Sequence, residues 1–185
     1  MNDEPKYPPS KYRTERLTLR PPRVDDAEAI FEAYATDAEV TRYLIWPPYT
    51  NIDDLREYLR NSKANKKDEP LRSWQILSRE GEMLGALAMF FDGHRVSIGY
   101  VLAQSHWGSG IMVEALQPLV DWAFEQDHIH RVWAVCDVGN TASARVLEKL
   151  GMQREGILRR WIIHPNVSNK PQDCICYAKV KSDPS

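Results

Sequence analysis

The sequence predicts a single α/β domain built on a mixed central sheet of about seven strands, covered by about four helices. Two observations carry this prediction. Three successive strand-like runs are joined by short turns, as in an antiparallel meander. After residue 102 strand-like and helix-like patterns alternate, as they do in βαβ units, so at least one parallel strand pair is expected.

The first half of the chain predicts one strand, two helices and the meander. Residues 16–20 alternate polar and apolar side chains and stop at two prolines, which is typical of a strand end. Asp25 and Asp26 open a first helix, and Thr50 or Asn51 caps a second one. The meander strands are expected at residues 71–78, 83–91 and 95–102.

The second half predicts two helices and three strands in the order α-β-α-β-β. The longer helix has apolar residues at helical spacing over residues 110–126, with Pro118 inside it. The shorter helix ends at Gly151, the usual position of a C-terminal glycine. The remaining elements are a buried strand at 131–138, a helix at 140–150, and strands at 152–158 and 173–180.

Size and charge set limits on the class of protein. The chain has 185 residues with a formal net charge of -2, so no basic surplus points to nucleic acid or to a membrane surface. No apolar run approaches the ~20 residues needed to span a bilayer. We expect a cytoplasmic monomer or homodimer, with residues 1–13 as a flexible N-terminal arm and residues 14–181 as one domain. The three cysteines fit no zinc spacing, and no metal site is expected.

Residues 100–111 carry the strongest chemical signal. A strand leads into a short loop containing Gly108 and Gly110, and a long helix follows at once. Glycine allows a ligand to approach the backbone closely, and the first helical turn leaves N–H groups unpaired at the positive end of the helix dipole. Such a site suits a pyrophosphate, although most glycine pairs of this kind are only tight turns. The longer glycine frame of a dinucleotide fold and the Lys-Ser/Thr of a P-loop are absent.

A second segment makes the pattern specific, because a strand, a polar turn, a helix and a glycine stop follow one another at residues 135–152. Together the two segments resemble the acetyl-CoA-binding motifs of GNAT N-acetyltransferases, through Gly99-Tyr100-x-Leu102, Trp107-Gly108-x-Gly110, Asn140-x-x-Ser143 and Glu148-Lys149-Leu150-Gly151-Met152. The stretches at 14–21 and 39–47 resemble the RimJ/RimL-like branch, which acetylates N-terminal amines of ribosomal proteins. The resemblance covers residues 14–180.

This resemblance implies acetyl-CoA as cosubstrate and a role for each matching residue. The strands ending at 102 and 138 would splay apart to admit the pantetheine arm, which would pair with the backbone of Tyr100, Val101 and Leu102. Asn140 would lie beside the pantetheine and Ser143 near the thioester sulfur. Val146 and Lys149 would line the outer half of the cofactor. The pyrophosphate would bind the backbone N–H groups of His106, Trp107, Gly108, Ser109, Gly110 and Ile111.

Two departures from the family pattern affect the chemistry. The tyrosine that many of these enzymes use to protonate the leaving thiolate would fall at Leu147, so Ser143 takes the role of general acid. A carboxylate that serves as base in one member of the branch would fall near Ile162, where no acid is present. The remaining candidates for the base are Glu82, Asp92, His94 and Asp173.

Several of these residues also have a purely structural interpretation. Ser143 could bond only its own helix backbone, and Trp107 could serve as a packing residue. Tyr43, Trp46 and Tyr49 could either line the acceptor groove or form a packed loop.

The expected reaction is acetyl transfer to a primary amine, by direct attack in a ternary complex. A protein N-terminal amine, with a pKa near 7.7–8.0, is partly neutral at physiological pH, whereas a lysine near 10.4 needs more help. The lack of an obvious base therefore favours a protein or peptide N-terminus as acceptor. Two alternatives stay open: a small-molecule amine such as an amino sugar, polyamine or antibiotic, and a non-catalytic acyl-CoA-binding module.

Overall fold

One eight-stranded mixed sheet forms the centre of the molecule. The computed structural model describes residues 7–62, 64–66 and 69–181, and within them the strand order is β1-β2-β3-β4-β5-β6-β8-β7. Every neighbouring pair is antiparallel except β5 and β6, which are parallel and are connected through a helix. The strands are β1 (Tyr12–Arg13), β2 (Leu17–Arg20), β3 (Leu71–Ser78), β4 (Met83–Asp92), β5 (Arg95–Leu102), β6 (Arg131–Asp137), β7 (Gln153–Ile162) and β8 (Gln172–Val180). The predicted fold class is confirmed.

Five helices cover the sheet in the described part of the chain. They are α1 (Ala27–Ile30), which continues as a π-helical turn over Phe31–Ala35, α2 (Ala38–Thr41), α3 (Ile52–Asn61), α4 (Ile111–Glu125) and α5 (Thr141–Lys149). Of the two capping candidates for α3, Asn51 is the cap, because its side chain accepts the N–H of Asp53. Helix α2 was not predicted. It is one turn long, and the carboxylate of Asp37 caps it.

Two apolar clusters hold the helices on opposite sides of the sheet. The larger one contains Ala115, Leu116 and Leu119 of α4, each 0% exposed, packed against the inner faces of the strands. The smaller one joins the α1 region and Leu55 of α3 to the start of β4. Because each buried leucine contributes on the order of 1.5–3 kcal/mol, α4 is held firmly along its whole apolar face. Among the described residues, no helix has both the length and the apolar character that crossing a bilayer requires.

Part of the expected N-terminal arm lies on the sheet. Residues 1–6 are outside the described residues, but Tyr12 and Arg13 form β1 and pair with β2. The Tyr7 ring packs edge-on against Phe91, with ring centroids 5.3 Å apart, and lies under the guanidinium of Arg72. These contacts extend the sheet by one short strand that the alternation pattern did not predict.

Candidate active site

The parallel strands β5 and β6 separate after three residue pairs. Their pairing runs from Arg95 opposite Arg131 to Ser97 opposite Trp133. Beyond that point β5 stays paired with β4 up to Leu102, and β6 stays paired with β8 up to its last residue. The edge of β5 that faces β6 is therefore open over residues 98–102. It presents backbone donors and acceptors to any extended ligand that enters the gap, so the predicted splay is confirmed.

The loop after β5 takes the left-handed backbone conformation that glycine favours. Gly108 has φ +74° and Gly110, which caps α4, has φ +79°. The backbone N–H groups of His106 and Trp107 donate to carbonyl oxygens three residues earlier, which closes a tight turn. Among the described residues no such acceptor is found for the next amides, so the free donors begin at Gly108, two residues later than the sequence indicated.

These free amides lie at the positive end of a long helix. Helix α4 has 15 residues, and its aligned peptide dipoles place roughly half a positive charge at this end. The N–H groups of Gly108, Ser109, Gly110 and Ile111 lead into its first turn, which leaves further N–H groups unpaired. The local geometry is that of an anion site.

Trp107 anchors the loop to the end of β5. Its indole N–H donates to the carbonyl oxygen of Leu102 at 2.8 Å, and the residue is 45% exposed. The hydrogen bond gives Trp107 a structural contact, and nearly half of its surface stays exposed beside the glycine loop. The same bond uses one lone pair of the Leu102 carbonyl. Alternate residues of β5 direct their backbone groups to β4, as Ala103 does by donating to Leu84, so the backbone of Val101 faces β4. The groups left for a ligand at the open edge therefore lie mainly at Tyr100 and at the N–H of Leu102.

Arg16 lies beside the loop, a position that neither the strand pattern at 16–20 nor the resemblance of residues 14–21 to the RimJ/RimL-like branch indicates. One of its guanidinium nitrogens donates to the carbonyl oxygen of Ser109 at 3.2 Å, and its Nε donates to Glu114 at 2.6 Å. Burial alone would raise the pKa of Glu114, but hydrogen bonds from Thr14 and Arg16 outweigh it and hold that pKa below its usual value. The contact joins residues 93 positions apart, so no spacing rule could have found it.

Residues 137–143 form the opposite side of the gap. Asp137 ends β6, and its Oδ1 accepts the N–H of Gly139 at 2.8 Å, which turns the chain. Asn140 then caps α5, because its Oδ1 accepts the N–H of Ser143 at 3.1 Å. The first turn of α5 is thereby fixed next to the open edge of β5. Further along α5, Val146 packs half-buried against the core and Lys149 is exposed.

Ser143 meets a tyrosine hydroxyl across the gap. The Tyr100 Oη lies 2.8 Å from Ser143 Oγ and 3.2 Å from the Ser143 carbonyl oxygen. Burial raises the pKa of Tyr100, so this hydroxyl stays protonated at physiological pH. Leu147, where the family pattern places a tyrosine, is 0% exposed and belongs to the core. Sequence reasoning assigned only backbone contacts to Tyr100, since nothing in the pattern indicates this pairing.

A family model identifies the protein family to which this arrangement of loop, strand edge and helix belongs. The model of the acetyltransferase (GNAT) domain matches residues 16–153, most of the sheet and both sides of the gap. The chain belongs to the GNAT acetyltransferase family. It is an acyltransferase, and the sequence-based predictions of an N-acetyltransferase and of acetyl-CoA as its cosubstrate are confirmed at the level of the family.

Individual relatives agree with this family. The chain is 33% identical over 150 residues, 79% of its length and 84% of the relative's, to the uncharacterized N-acetyltransferase p20 of Bacillus licheniformis. Over 70 residues, 38% of this chain and 36% of the relative, it is 31% identical to the [ribosomal protein uS5]-alanine N-acetyltransferase of Escherichia coli. The resemblance to the RimJ/RimL-like branch is therefore confirmed, although many relatives carry no assigned acceptor.

Solved structures share the fold. The microcin C7 self-immunity acetyltransferase MccE, in complex with acetyl-CoA and AMP, has a TM-score of 0.82 and 24% identity, covering 94% of this chain and 97% of that one. RimL, the ribosomal L7/L12 α-N-protein acetyltransferase in complex with coenzyme A, has a TM-score of 0.79 and 23% identity, covering 91% and 96%. At these identities the likeness concerns the fold.

The loop before α3 and the β7–β8 connection meet at the end of β6 in this GNAT enzyme. The Tyr43 hydroxyl lies 3.0 Å from where a Cβ on Gly139 would be, and the Tyr43 ring lies edge-on to His164. The Asn166 side-chain amide donates to the carbonyl oxygens of Thr41 at 2.7 Å and Trp46 at 2.9 Å. One segment from each half of the chain is thus tied into a single wall.

Of the three aromatic candidates in that loop, two have mainly structural contacts. Trp46 and Tyr49 pack on each other, with centroids 5.6 Å apart, and on the smaller apolar cluster. Tyr43 alone reaches the end of β6. The packed-loop interpretation therefore holds for two of the three residues.

A buried Asp137–His164–Cys174 cluster lies behind this wall, and its geometry excludes a nucleophilic triad. His164 Nε2 is 3.6 Å from Asp137 Oδ2 and 3.9 Å from Cys174 Sγ, so both partners approach the same ring nitrogen. A triad requires them on opposite nitrogens. Burial raises the pKa of Cys174 to about 11, so its thiol is protonated at neutral pH.

The four candidate bases are dispersed. Glu82 lies beside His106 at the glycine loop, with 3.4 Å between Oε1 and Nε2. Asp92 and His94 lie at the hairpin end of β5, away from Tyr100. Asp173 lies nearest to the gap, but its Oδ1 already accepts the N–H of Arg160. In the described part of the chain, none of these four side chains forms a hydrogen bond with the Ser143 hydroxyl.

Proposed function

We propose that this GNAT enzyme transfers the acetyl group of acetyl-CoA to the N-terminal amine of a protein or peptide, by direct attack in a ternary complex. The observation that carries the proposal is the open edge of β5, which ends beside the Ser143 hydroxyl and is flanked by the anion site of α4. An extended thioester laid along that edge would have its diphosphate at the helix and its sulfur near the serine.

In this arrangement the cofactor-binding residues divide into three groups. The amides of Gly108, Ser109, Gly110 and Ile111 hold the diphosphate, while His106 and Trp107 shape the turn. The backbone of Tyr100 and the N–H of Leu102 pair with the pantetheine arm, as an added strand would, and Val101 between them bonds β4. Asn140 borders the arm, with Val146 and Lys149 along the outer half. The complexes of MccE with acetyl-CoA and of RimL with coenzyme A support this use of the fold.

The chemical step is an acyl transfer between two bound substrates. The amine lone pair attacks the thioester carbonyl carbon, a C–N bond forms, the C–S bond breaks and the electron pair leaves with sulfur. The amine loses one proton to solvent, the Ser143 hydroxyl stabilises the departing thiolate by donating a hydrogen bond to it, and solvent then protonates the thiolate. Holding both reactants in one groove lowers the barrier by up to roughly 7–11 kcal/mol.

A peptide N-terminus is favoured as the acceptor because none of the candidate general bases contacts Ser143 within the residues that the structure describes. The carboxylate at the end of β6, Asp137, is 7% exposed and its Oδ1 already accepts a backbone N–H. An amine that is partly neutral by itself, as a peptide N-terminus with a pKa near 7.7–8.0 is, suits such a site better than a lysine. The site therefore favours the predicted acceptor, a protein or peptide N-terminus.

Charge at the β7–β8 connection argues in the same direction. A cleft of about 440 Å³ there is lined by Arg160, Ser168, Lys170, Pro171 and Gln172. A polycationic acceptor such as a polyamine or amino sugar that entered past these two basic side chains would be disfavoured, because like charges repel. A peptide, especially one with acidic side chains, meets no such repulsion. The name of RimL also favours a protein N-terminus, whereas that of MccE keeps a small acceptor as the alternative.

The test is product mass spectrometry with matched acceptors. One peptide has a free N-terminus and no lysine, and its partner has an acetyl-blocked N-terminus and one lysine. We expect acetylation of the first alone, with a rate that rises with pH, is half-maximal near pH 8 and levels off about one pH unit higher, where the N-terminal amine is almost fully neutral.

Other results lead to other functions. Acetylation of an amino sugar or polyamine with no peptide product would select the small-molecule enzyme. Binding of acetyl-CoA without turnover on any amine would select the acyl-CoA-binding module. The variant Ser143→Ala, compared with wild type on the same peptide, checks that turnover comes from this site.

A further inference from the structure

The pair Tyr100–Ser143 is the point where the two sides of the gap touch. Tyr100 comes from β5 and Ser143 from the first turn of α5, 43 residues later in the chain. The Tyr100 ring packs against the large apolar cluster, so its hydroxyl has little freedom to move away. The backbone N–H of Ser143 is held by Asn140, which fixes the serine from the other side.

A tyrosine hydroxyl has one proton, so the two contacts of Tyr100 imply two arrangements. In one, Tyr100 donates to the Ser143 carbonyl at 3.2 Å and accepts from the serine hydroxyl, whose proton is then occupied. In the other, Tyr100 donates to Ser143 Oγ at 2.8 Å, and the serine proton is free for another acceptor. Only the second arrangement lets Ser143 donate to a sulfur atom.

The geometry points to Tyr100 as a positioning residue for acetyl transfer: its hydroxyl donates to Ser143 Oγ and so directs the serine proton to the leaving thiolate. This inference rests on the proposed function. As the C–S bond breaks, negative charge on sulfur favours the arrangement in which Ser143 donates to it. The hydrogen-bond chain runs from Tyr100 to Ser143 to sulfur, and neither residue has to lose its proton.

The surroundings explain why Tyr100 acts through Ser143 instead of serving as the acid. Its pKa is raised by burial, so a tyrosinate there is unfavourable and the hydroxyl remains a donor across the working pH range. Leu147, where the family pattern places its tyrosine, is buried in the core. A strand residue thus supplies the hydroxyl that is missing from the helix.

A double-mutant cycle on kcat tests the inference. The variants are Tyr100→Phe, Ser143→Ala and the double variant, with the peptide acceptor at saturating acetyl-CoA. We expect Tyr100→Phe to lower kcat about 3- to 10-fold with KM for acetyl-CoA nearly unchanged, the size of one lost hydrogen bond. In the Ser143→Ala background the same change is expected to have no further effect, because the group through which it acts is gone.

The matched control is Tyr177→Phe. Tyr177 is 2% exposed, and its hydroxyl donates to Glu148, which lies on α5 as Ser143 does. Tyr177→Phe therefore removes one tyrosine hydrogen bond to this helix without changing a contact of Ser143. We expect its kcat to equal that of wild type. Additive losses in the cycle, an unchanged kcat in Tyr100→Phe, or an equal loss in Tyr177→Phe would each overturn the inference while acetyl transfer itself stands.

A second measurement does not depend on turnover. The pKa of the thiol of bound CoA is titrated by thiolate absorbance, with the protein alone subtracted, in wild type and the same three variants. We expect Ser143→Ala to raise that thiol pKa, Tyr100→Phe to raise it by an equal or smaller amount, and the double variant to match Ser143→Ala. No shift in Tyr100→Phe, or a further shift in the double variant beyond that of Ser143→Ala, would contradict the coupling. Failure of the wild type to bind CoA would overturn the proposed function and this inference together.

Discussion

Gly85→Ala is expected to damage the site from a position outside it. Gly85 lies on β4 opposite Leu102, and a Cβ added there would be 2.3 Å from the carbonyl oxygen of Val101. Ordinary van der Waals contact begins at 3.4 Å. The end of β5 must therefore move by about 1 Å, a displacement that costs up to roughly 100-fold in rate when it lies at a reacting centre.

The same change should also destabilise the fold measurably. Overpacking costs about 1–3 kcal/mol, which corresponds to a fall in Tm of about 3–10 °C for a chain of this size. The assays are thermal unfolding, calorimetry with CoA, and steady-state kcat at saturating acetyl-CoA. We expect weaker CoA binding and a kcat at least about 10-fold lower.

Gly156→Ala is the matched control for Gly85→Ala. Gly156 also lies in a strand, β7, and a Cβ there would meet no atom within 4 Å. We expect wild-type stability, CoA affinity and kcat. If Gly85→Ala also kept wild-type CoA affinity and kcat, the position of the end of β5 would not matter for cofactor binding, and the role given to the β5 edge would be refuted.

Three further predictions concern the cap of α5, a carboxylate and the thiols. Asn140→Ala should cost about 1 kcal/mol of unfolding free energy and lower kcat, whereas Asn51→Ala, which uncaps α3, should cost a similar amount without changing kcat. The folded-state pKa of Glu114 lies below its ordinary value of 4.5, so its contribution to stability is present above about pH 4.5 and is lost as the pH falls through the lower folded-state pKa. Glu114→Gln should therefore reduce the dependence of stability on pH in this acid range. Burial raises the pKa values of Cys136 and Cys174 to about 11, so a thiol reagent at pH 8 should label them roughly 100-fold more slowly in the native than in the unfolded protein.

The local elements of this fold could be predicted from sequence because their signals are local. The predicted meander strand at 95–102 coincides with β5 as observed, and the helix predicted at 110–126 is observed at Ile111–Glu125. Strand alternation, the Asp92-Gly93 turn and helical spacing each act within a few residues. Such signals also predicted the glycine loop before α4.

The elements that were missed are short and depend on tertiary contacts. Strand β1 has two residues and exists because it pairs with β2, and α2 has one turn held by the cap from Asp37. Neither is long enough to show a period. The end of the β7 strand extends to Ile162, four residues beyond the prediction, because its partner β8 continues there.

For the candidate site, the sequence indicated which residues take part but not which of their backbone and hydroxyl groups are available to a ligand. The amides of His106 and Trp107 are used within the turn, a feature of loop conformation that residue identity does not determine. The hydroxyl pair Tyr100–Ser143 depends on how α5 docks against β5, across 43 residues. The contact of Arg16, the residue before β2, with Ser109 likewise joins the start of the sheet to a loop far along the chain.

Calorimetry with CoA and with pantetheine, which lacks the diphosphate together with the adenosine 3′-phosphate attached to it, tests the cofactor site most directly. If the free amides from Gly108 to Ile111 hold the diphosphate while the β5 edge holds the arm, CoA should bind with one site per chain and pantetheine at least about 100-fold more weakly. Equal affinity for the two ligands, or no heat with CoA, would contradict this assignment of the loop and the open strand edge.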